Sequence, residues 1–380
     1  MRAQRAIGLM SGTSLDGVDI ALIETDGERV MAFGPTAYQP YAPAEREMLR
    51  QALADAVGMT DRTARPGVLR DAEALVTRTH AAAVEAFLLR YGIARAGIDV
   101  VGFHGQTVLH RPAARLTVQI GDGQGLADAL GLPVVFDFRA ADLAAGGQGA
   151  PLVPVYHAAL AQDLNRPHPL AVLNVGGVAN LTYVADGSQP MACDTGPGNA
   201  LIDDLMLQRT GSARDEYGAA AAKGRVDNAV IERVLSLPFF ARPCPKSLDR
   251  NEFRVDVSEL PTVDAAATLT ALTAAGVAAA VRHLPRPPQA WVVAGGGARN
   301  PTLMHMLAKQ LAPASVETAE AVGWSIDALE AQAFAFLAVR STRGLPITFP
   351  ATTGVERPAT GGILARPGAR AASSTAPATA

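Results

Sequence analysis

The sequence predicts an α/β protein made of two duplicated lobes, and three stretches carry that prediction. Residues 5–22, RAIGLMSGTSLDGVDIAL, read as a strand, a polar glycine turn and a second strand. Residues 169–184, PLAVLNVGGVANLTYV, repeat the pattern in mid-chain: apolar β-formers flank small residues that let backbone approach a ligand. A third stretch, AWVVAGGG at 290–297, is a buried-type strand ending in glycines.

The elements follow in order. After the first hairpin, Leu49, Leu53 and Val57, with Ala52 and Ala56, form one helical stripe. A second helix is expected over residues 66–90, with Gly92 as its C-cap. Residues 99–103, 116–120 and 133–136 are strand-like. The turn-rich run Asn165-Arg166-Pro167-His168-Pro169 places the lobe boundary within 160–169, giving lobes 1–165 and 166–365. In the second lobe, 199–207, 265–283 and 325–340 are expected helices, the last capped by Ser325. Asn300 and Pro301 open another after the third glycine run. Strands followed by βα alternation, seen twice, support the α/β class. Residues 366–380 are apolar-poor and low in complexity, so a disordered tail is expected there.

Composition narrows the function. With 380 residues there is chain enough for two cores, and a formal net charge of −3 argues against nucleic acid as a partner. The N-terminus predicts no signal peptide, and no apolar run suggests a membrane partner, so a cytoplasmic enzyme is expected. Cys193 and Cys244 stand far apart without a CxxC; they predict neither a disulfide framework nor a zinc site, and each reads as a small packed hydrophobe.

The first turn is not a Walker A loop, which needs a lysine, because the first lysine in the chain is Lys223. Ser11-Gly12-Thr13-Ser14-Leu15-Asp16-Gly17 instead offers backbone N–H groups and hydroxyls to phosphate oxygens. Asp16 and Asp19 could hold Mg²⁺ through water. With Gly176-Gly177 and Gly295-Gly296-Gly297, three glycine-bearing strand ends suit a nucleotide held in a cleft between two lobes, the arrangement of the actin, hexokinase and Hsp70 ATPase superfamily. Asp194, in Asp194-Thr195-Gly196-Pro197-Gly198-Asn199, is an acid on a glycine-rich bend that could accept a proton from a nucleophile. His104, Gln106, Gln119, Asp122, Asp137, Arg139, Asp142 and Gln148 concentrate at strand ends, the side chains of a polar substrate pocket.

Together these segments resemble the anhydro-N-acetylmuramic acid kinase family. The matching residues are 8–19, 102–107, 137–142, 146–154, 173–180, 194–199, 295–300 and 328–331, in family order, with no departure at a motif position. The resemblance implies two RNase H-like lobes of the actin-like ATPase fold. It implies ATP and Mg²⁺ held by Gly12, Thr13, Ser14, Leu15, Asp16, Gly17, Val18 and Asp19, with Gly176, Gly177 and Gly295–Gly297 completing the site. Asp16 and Asp19 would face the metal. His104, Gln106, Arg139, Asp142, Gln148 and Glu330 would hold 1,6-anhydro-N-acetylmuramic acid, Arg139 pairing with its lactyl carboxylate. Asp194 would activate the water that opens the anhydro bridge while O6 receives the γ-phosphoryl group, in cell-wall recycling. A homodimer is a family-based expectation.

Two other classes fit parts of this pattern. A conformational ATPase of the Hsp70 kind would carry a long peptide-binding region after its lobes, where this chain has a short tail. A kinase for another sugar or a carboxylate would need no water-activating base.

Overall fold

The structure, a computed structural model, describes residues 2–12, 14–248 and 253–368. Thr13 of the first turn and the 369–380 part of the expected tail lie outside the described residues. The chain forms two compact units.

Unit 1 takes Met1–Ala144, Glu330–Ile347 and the chain from Thr360. Its first strands, β1 (Gln4–Ser11), β2 (Gly17–Thr25) and β3 (Val30–Pro40), form an antiparallel meander. Two helices follow, α1 (Pro43–Ala56) and α2 (Leu69–Tyr91). In α2, Leu69, Ala72, Val76, Ala83, Val84 and Phe87 are buried at helical spacing, so one face enters the core. It stops at Gly92, which takes the left-handed conformation at φ 62°, as expected of a C-cap glycine. Next come β4 (Val100–Arg111), β5 (Leu116–Ile120), α3 (Gly123–Leu130), β6 (Val134–Phe136) and α4 (Ala140–Ala144). β4 lies parallel to β1, and β6 parallel to β4. β4 runs eight residues past the strand end expected at Phe103, because β5 folds back on it and satisfies its backbone groups.

Unit 2 takes Ala145–Leu329 and Thr348–Ala359. It begins with α5 (Pro154–Gln162) and the meander β7 (Leu170–Val175), β8 (Val178–Val184) and β9 (Met191–Pro197). The helices α6 (Ala200–Thr210), α7 (Asn228–Leu235), α8 (Pro238–Ala241) and α9 (Thr262–Ala280) follow. Then come β10 (Ala290–Ala294), α10 (Pro301–Gln310) and β11 (Ser315–Thr318). The strand order β11-β10-β7-β8-β9 repeats β6-β4-β1-β2-β3 of unit 1. The senses repeat as well: β7–β8 and β8–β9 are antiparallel, β7–β10 and β10–β11 parallel. The duplication is thus present strand by strand, in the RNase H-like order.

α9 is long and apolar enough to cross a membrane, with a mean hydropathy of 1.5 over its best window, which the sequence reading overlooked. It is mostly buried within unit 2, where Ala266, Leu269 and Leu272 pack with Phe239, Phe240 and Phe253.

The contacts divide the chain elsewhere than at residue 165. α5 goes with unit 2, since its buried His157 bonds through Nδ1 to Thr182 Oγ1 on β8 at 2.9 Å. After β11 the chain returns to unit 1 in α11 (Leu329–Thr342), then crosses once more in α12 (Pro350–Thr353). α11 starts at Leu329, four residues after the expected Ser325; Ser325 caps the turn before it, its Oγ accepting from Ala328 N–H at 3.3 Å. α11 seats directly on two glycines. A Cβ at Gly8 would lie 1.8 Å from the Ala331 carbonyl, and one at Gly102 would lie 2.1 Å from that of Phe334. Gly8 of the N-terminal signature is therefore a packing glycine.

Candidate active site

In unit 1, the turn between β1 and β2 is built from behind. Ser11, buried at the end of β1, donates from Oγ to Gln106 Oε1 at 2.6 Å and contacts the Tyr41 hydroxyl at 3.0 Å. Gln106 Nε2 donates to the Gly12 carbonyl at 3.1 Å, and Tyr41 N–H to that of Asp16 at 2.9 Å. Leu15 closes the loop on Gly12 at 3.2 Å, with φ 56°. At its rim, Ser14 Oγ donates to Asp16 Oδ1 at 2.6 Å. Asp19 lies on β2, opposite Met10 and Tyr38. Burial raises the Tyr38 phenol's pKa, and the charges of Asp16 and Asp19 raise it further. Gln106, expected to touch sugar, is fully buried with both ends of its amide engaged on this turn.

A second polar cluster of unit 1 gathers around Arg139, between β6 and α4. His104 is buried on β4, and its Nδ1–H donates to the Gly105 carbonyl at 2.8 Å. That fixes the tautomer and leaves Nε2 to accept from Arg139 Nε at 3.2 Å and Nη2 at 3.1 Å. Burial, with the Arg139 charge, pushes the His104 pKa well below its ordinary value, so the ring is neutral. Burial lowers Arg139 to about 10, while the charges of Glu330 and Asp142 oppose that fall. His104, Arg139, Asp142 and Glu330 are thus brought together. The Nε–Nη2 edge of Arg139, which a bidentate carboxylate pair would use, is turned to His104.

In unit 2, three glycine turns converge at one end of the sheet. Gly198 and Asn199 donate their N–H groups to the carbonyls of Gly177 at 3.0 Å and Gly176 at 2.8 Å. The Asn199 side chain reaches the Val175 carbonyl at 3.0 Å. Gly295 adopts φ 75°, and a Cβ there would lie 2.4 Å from Asn174 Oδ1. Beside these turns lies a cavity of about 390 Å³ lined by Asn199, Asp203, Arg214, Tyr217, Gly296 and Arg299, among others. A larger cavity, about 860 Å³, sits at the opposite ends of the strands, where β10 and β11 begin. Pro167, Pro287, Trp291 and Pro313 line it, and it lacks the convergent polar groups of a reacting site.

Asp194 lies on β9, half-buried, and is gripped by a segment that the sequence reading missed. Its N–H donates to the Lys246 carbonyl at 3.0 Å, and its Oδ2 accepts from Leu248 N–H at 2.7 Å. Burial raises its pKa to about 6, against the opposing effects of the Leu248 bond and the Lys246 charge. Ser247 Oγ donates to Gln148 Oε1 at 2.8 Å, which ties Gln148 to the strap that holds Asp194. Contrary to expectation, Cys193 and Cys244 are joined in a disulfide, because β9 and the 244–248 strap run side by side. One signal was available: the sequence has only three lysines, and Lys246 follows a Pro-Cys-Pro turn.

Comparison with known proteins finds relatives along nearly the whole chain. Residues 4–366 match the family described as Anhydro-N-acetylmuramic acid kinase. A protein of that name from Rhodopseudomonas palustris is 61% identical over 363 residues, which cover 95% of this chain and 99% of the relative. Another, from Azorhizobium caulinodans, is 61% identical over 369 residues, covering 96% and 99%. Among solved structures, a ROK family glucokinase from Streptomyces griseus in complex with glucose and AMPPNP is similar at 15% identity and a TM-score of 0.43, covering 88% of this chain and 99% of that one.

Proposed function

The chain belongs to the anhydro-N-acetylmuramic acid kinase family, and from that premise we propose that it opens 1,6-anhydro-N-acetylmuramic acid with water and phosphorylates the released O6 from ATP. One water oxygen goes to C1, the C1–O6 bond breaks, and O6 forms a bond to the γ-phosphorus. The products are N-acetylmuramic acid 6-phosphate, ADP and a proton. Peptidoglycan recycling in the cytoplasm is the process this product suits.

The observation that carries the reading is Asp194: a half-buried carboxylate with a pKa near 6, oriented by one backbone N–H. Such a group is ionised at neutral pH, yet basic enough to take a proton from water in the transition state. The first turn and the 176–177 and 295–297 turns are assigned to the phosphates, and the cavity beside Asn199 and Tyr217 to the nucleoside. Gln106, Ser11 and Tyr41 hold the first turn in shape without touching substrate. His104, Arg139, Asp142 and Glu330 are assigned to the sugar. Its hydroxyls, amide and carboxylate suit a neutral imidazole beside a guanidinium flanked by acids.

Asp16 and Asp19 fit Mg²⁺ by donor chemistry: they are hard oxygen ligands on the first turn and on the strand that leaves it, with the Ser14 hydroxyl bonded to Asp16. When bound, Mg²⁺ would neutralise phosphate charge. Phosphoryl transfer depends chiefly on such positioning and charge stabilisation. The test is turnover in heavy-oxygen water: label on C1 of the phosphorylated product is expected, and phosphorylation without label sinks the hydrolytic step.

A further inference from the structure

The 244–248 strap meets β9 at two consecutive residues, and the second of them is Asp194. At Cys193 the link is covalent, the disulfide to Cys244, with the two Cα atoms 5.3 Å apart. At Asp194 it is a pair of hydrogen bonds. Asp194 N–H donates to the Lys246 carbonyl at 3.0 Å, and Leu248 N–H donates to Asp194 Oδ2 at 2.7 Å. The disulfide, the 193–194 peptide bond and the Leu248 hydrogen bond therefore close a small ring that contains the carboxylate. Without the disulfide, the same hydrogen bonds must close a loop through a main chain in which the cysteines have a sequence separation of 51. Each doubling of a loop costs closure about threefold. Cys193 is buried at 2% exposure, whereas Cys244 is half-buried and follows the exposed run Ala241-Arg242-Pro243. Cys244 is thus the half of the bond open to an incoming thiolate.

We propose that Cys193–Cys244 is a thiol–disulfide exchange site that takes a dithiol reductant and, through the strap, switches the base: the disulfide form holds the Asp194 carboxylate and the dithiol form releases it. The inference rests on the assignment of Asp194 as base. A reductant thiolate attacks Cys244 Sγ, the sulfur–sulfur bond breaks, and Cys193 leaves as a thiolate that takes up a proton. The second thiol of the reductant then displaces Cys244 from the mixed disulfide. Two electrons and two protons pass to the protein, giving two thiols and the disulfide form of the reductant. The Lys246 ammonium, which donates to the Phe239 carbonyl at 3.1 Å, keeps the strap attached to unit 2 in either state. What the dithiol form loses is the N–H that orients the carboxylate. The glycine turns assigned to phosphate are joined to each other by Gly198 and Asn199, without the strap, so the switch acts on kcat and leaves ATP binding alone.

The test is steady-state turnover of the full chain with ATP and the anhydro sugar, before and after dithiothreitol, with free thiols counted. As two thiols appear, kcat should fall about tenfold while KM for ATP holds within about twofold. Reoxidation with a small-molecule disulfide should restore kcat. Cys244→Ser, and Cys193→Ala as a second variant suited to the buried position, should each match the reduced wild type and ignore dithiothreitol. An unchanged kcat in the reduced wild type overturns the inference. So does a loss of kcat that comes with loss of the circular dichroism signal, since the bond then serves the fold alone. Asp194→Asn separates the two readings. If it is inactive while reduction leaves wild-type kcat unchanged, only the exchange site falls. If it turns over normally, the base assignment falls and the inference with it.

Discussion

The two sheets share a strand order and a set of strand senses, yet matching positions carry different chemistry. The first hairpin of unit 1 turns through Gly12–Asp16, with hydroxyls and an acid; that of unit 2 turns through Gly176-Gly177, backbone only. The third strand of unit 1, β3, is a half-exposed edge without a polar cluster, whereas β9 in unit 2 carries Asp194 and the disulfide. Beyond the fifth strand the contrast reverses: unit 1 holds Arg139 and Asp142 there, and unit 2 holds none of the assigned residues. The repeated topology supplies the same set of strand ends twice. The two sheets differ in local packing at these ends: β9 has the 244–248 strap lying against it.

Asp194→Asn breaks the contrast at its sharpest point. Turnover should fall by about 10²–10⁴-fold while ATP binding stays nearly intact, because the substitution removes the proposed proton acceptor and leaves the backbone of the proposed phosphate turns unchanged. A pre-steady-state assay and a binding titration separate the two; normal turnover removes β9 from the mechanism. The same substitution has an opposite effect on stability. The folded state keeps the Asp194 proton up to about pH 6, whereas the unfolded chain releases it near 3.8, so stability falls as pH rises through that window. Asparagine cannot ionise, and at neutral pH the variant should be more stable by about 1–2 kcal/mol.

The disulfide separates the units in a second way, since both cysteines lie in unit 2 and close a loop with a sequence separation of 51. Chain-entropy arguments give about 4 kcal/mol for a loop of that size. Both tryptophans, Trp291 and Trp324, also lie in unit 2, so their fluorescence reports that unit alone. Reduction should lower the urea midpoint followed by fluorescence; an unchanged midpoint would show that the bond contributes nothing. In unit 1 the corresponding sensitivity is at Gly8, where a Cβ would meet the α11 backbone and not a side chain that can move. Gly8→Ala should cost about 1–3 kcal/mol, seen by circular dichroism, whereas Gly176→Ala, with only Val178 O nearby at 3.8 Å, should leave stability unchanged.

Much of this was legible in the sequence because it is local. Strand–turn–strand patterns, the Gly92 cap and the Asn300–Pro301 helix start are each fixed within a few residues. The glycine turns and Asp194 were readable for the same reason. What escaped depends on long-range contact. Gly8 looks like part of a phosphate turn until α11, more than 300 residues later, is seen lying on it. The Cys193–Cys244 bond and the hold of Lys246 and Leu248 on Asp194 join segments about 50 residues apart. The bond of Ser247 to Gln148 joins segments about 100 residues apart. No periodicity or spacing encodes any of these pairings.

The smallest expected effect tests whether the strap works as one piece. Ser247 links it to Gln148, whose own N–H donates to the Thr353 carbonyl at 2.8 Å. Leu248, one residue on, donates to Asp194. If Gln148 only stiffens the strap, Ser247→Ala removes one exposed hydrogen bond, worth about 0.5–1.5 kcal/mol, and should lower kcat by less than about threefold with KM unchanged. If Gln148 instead binds the sugar, freeing its amide from Ser247 should change KM and leave kcat alone. The first outcome places Gln148 with the base in unit 2; the second returns it to substrate recognition, the role otherwise concentrated around Arg139 in unit 1.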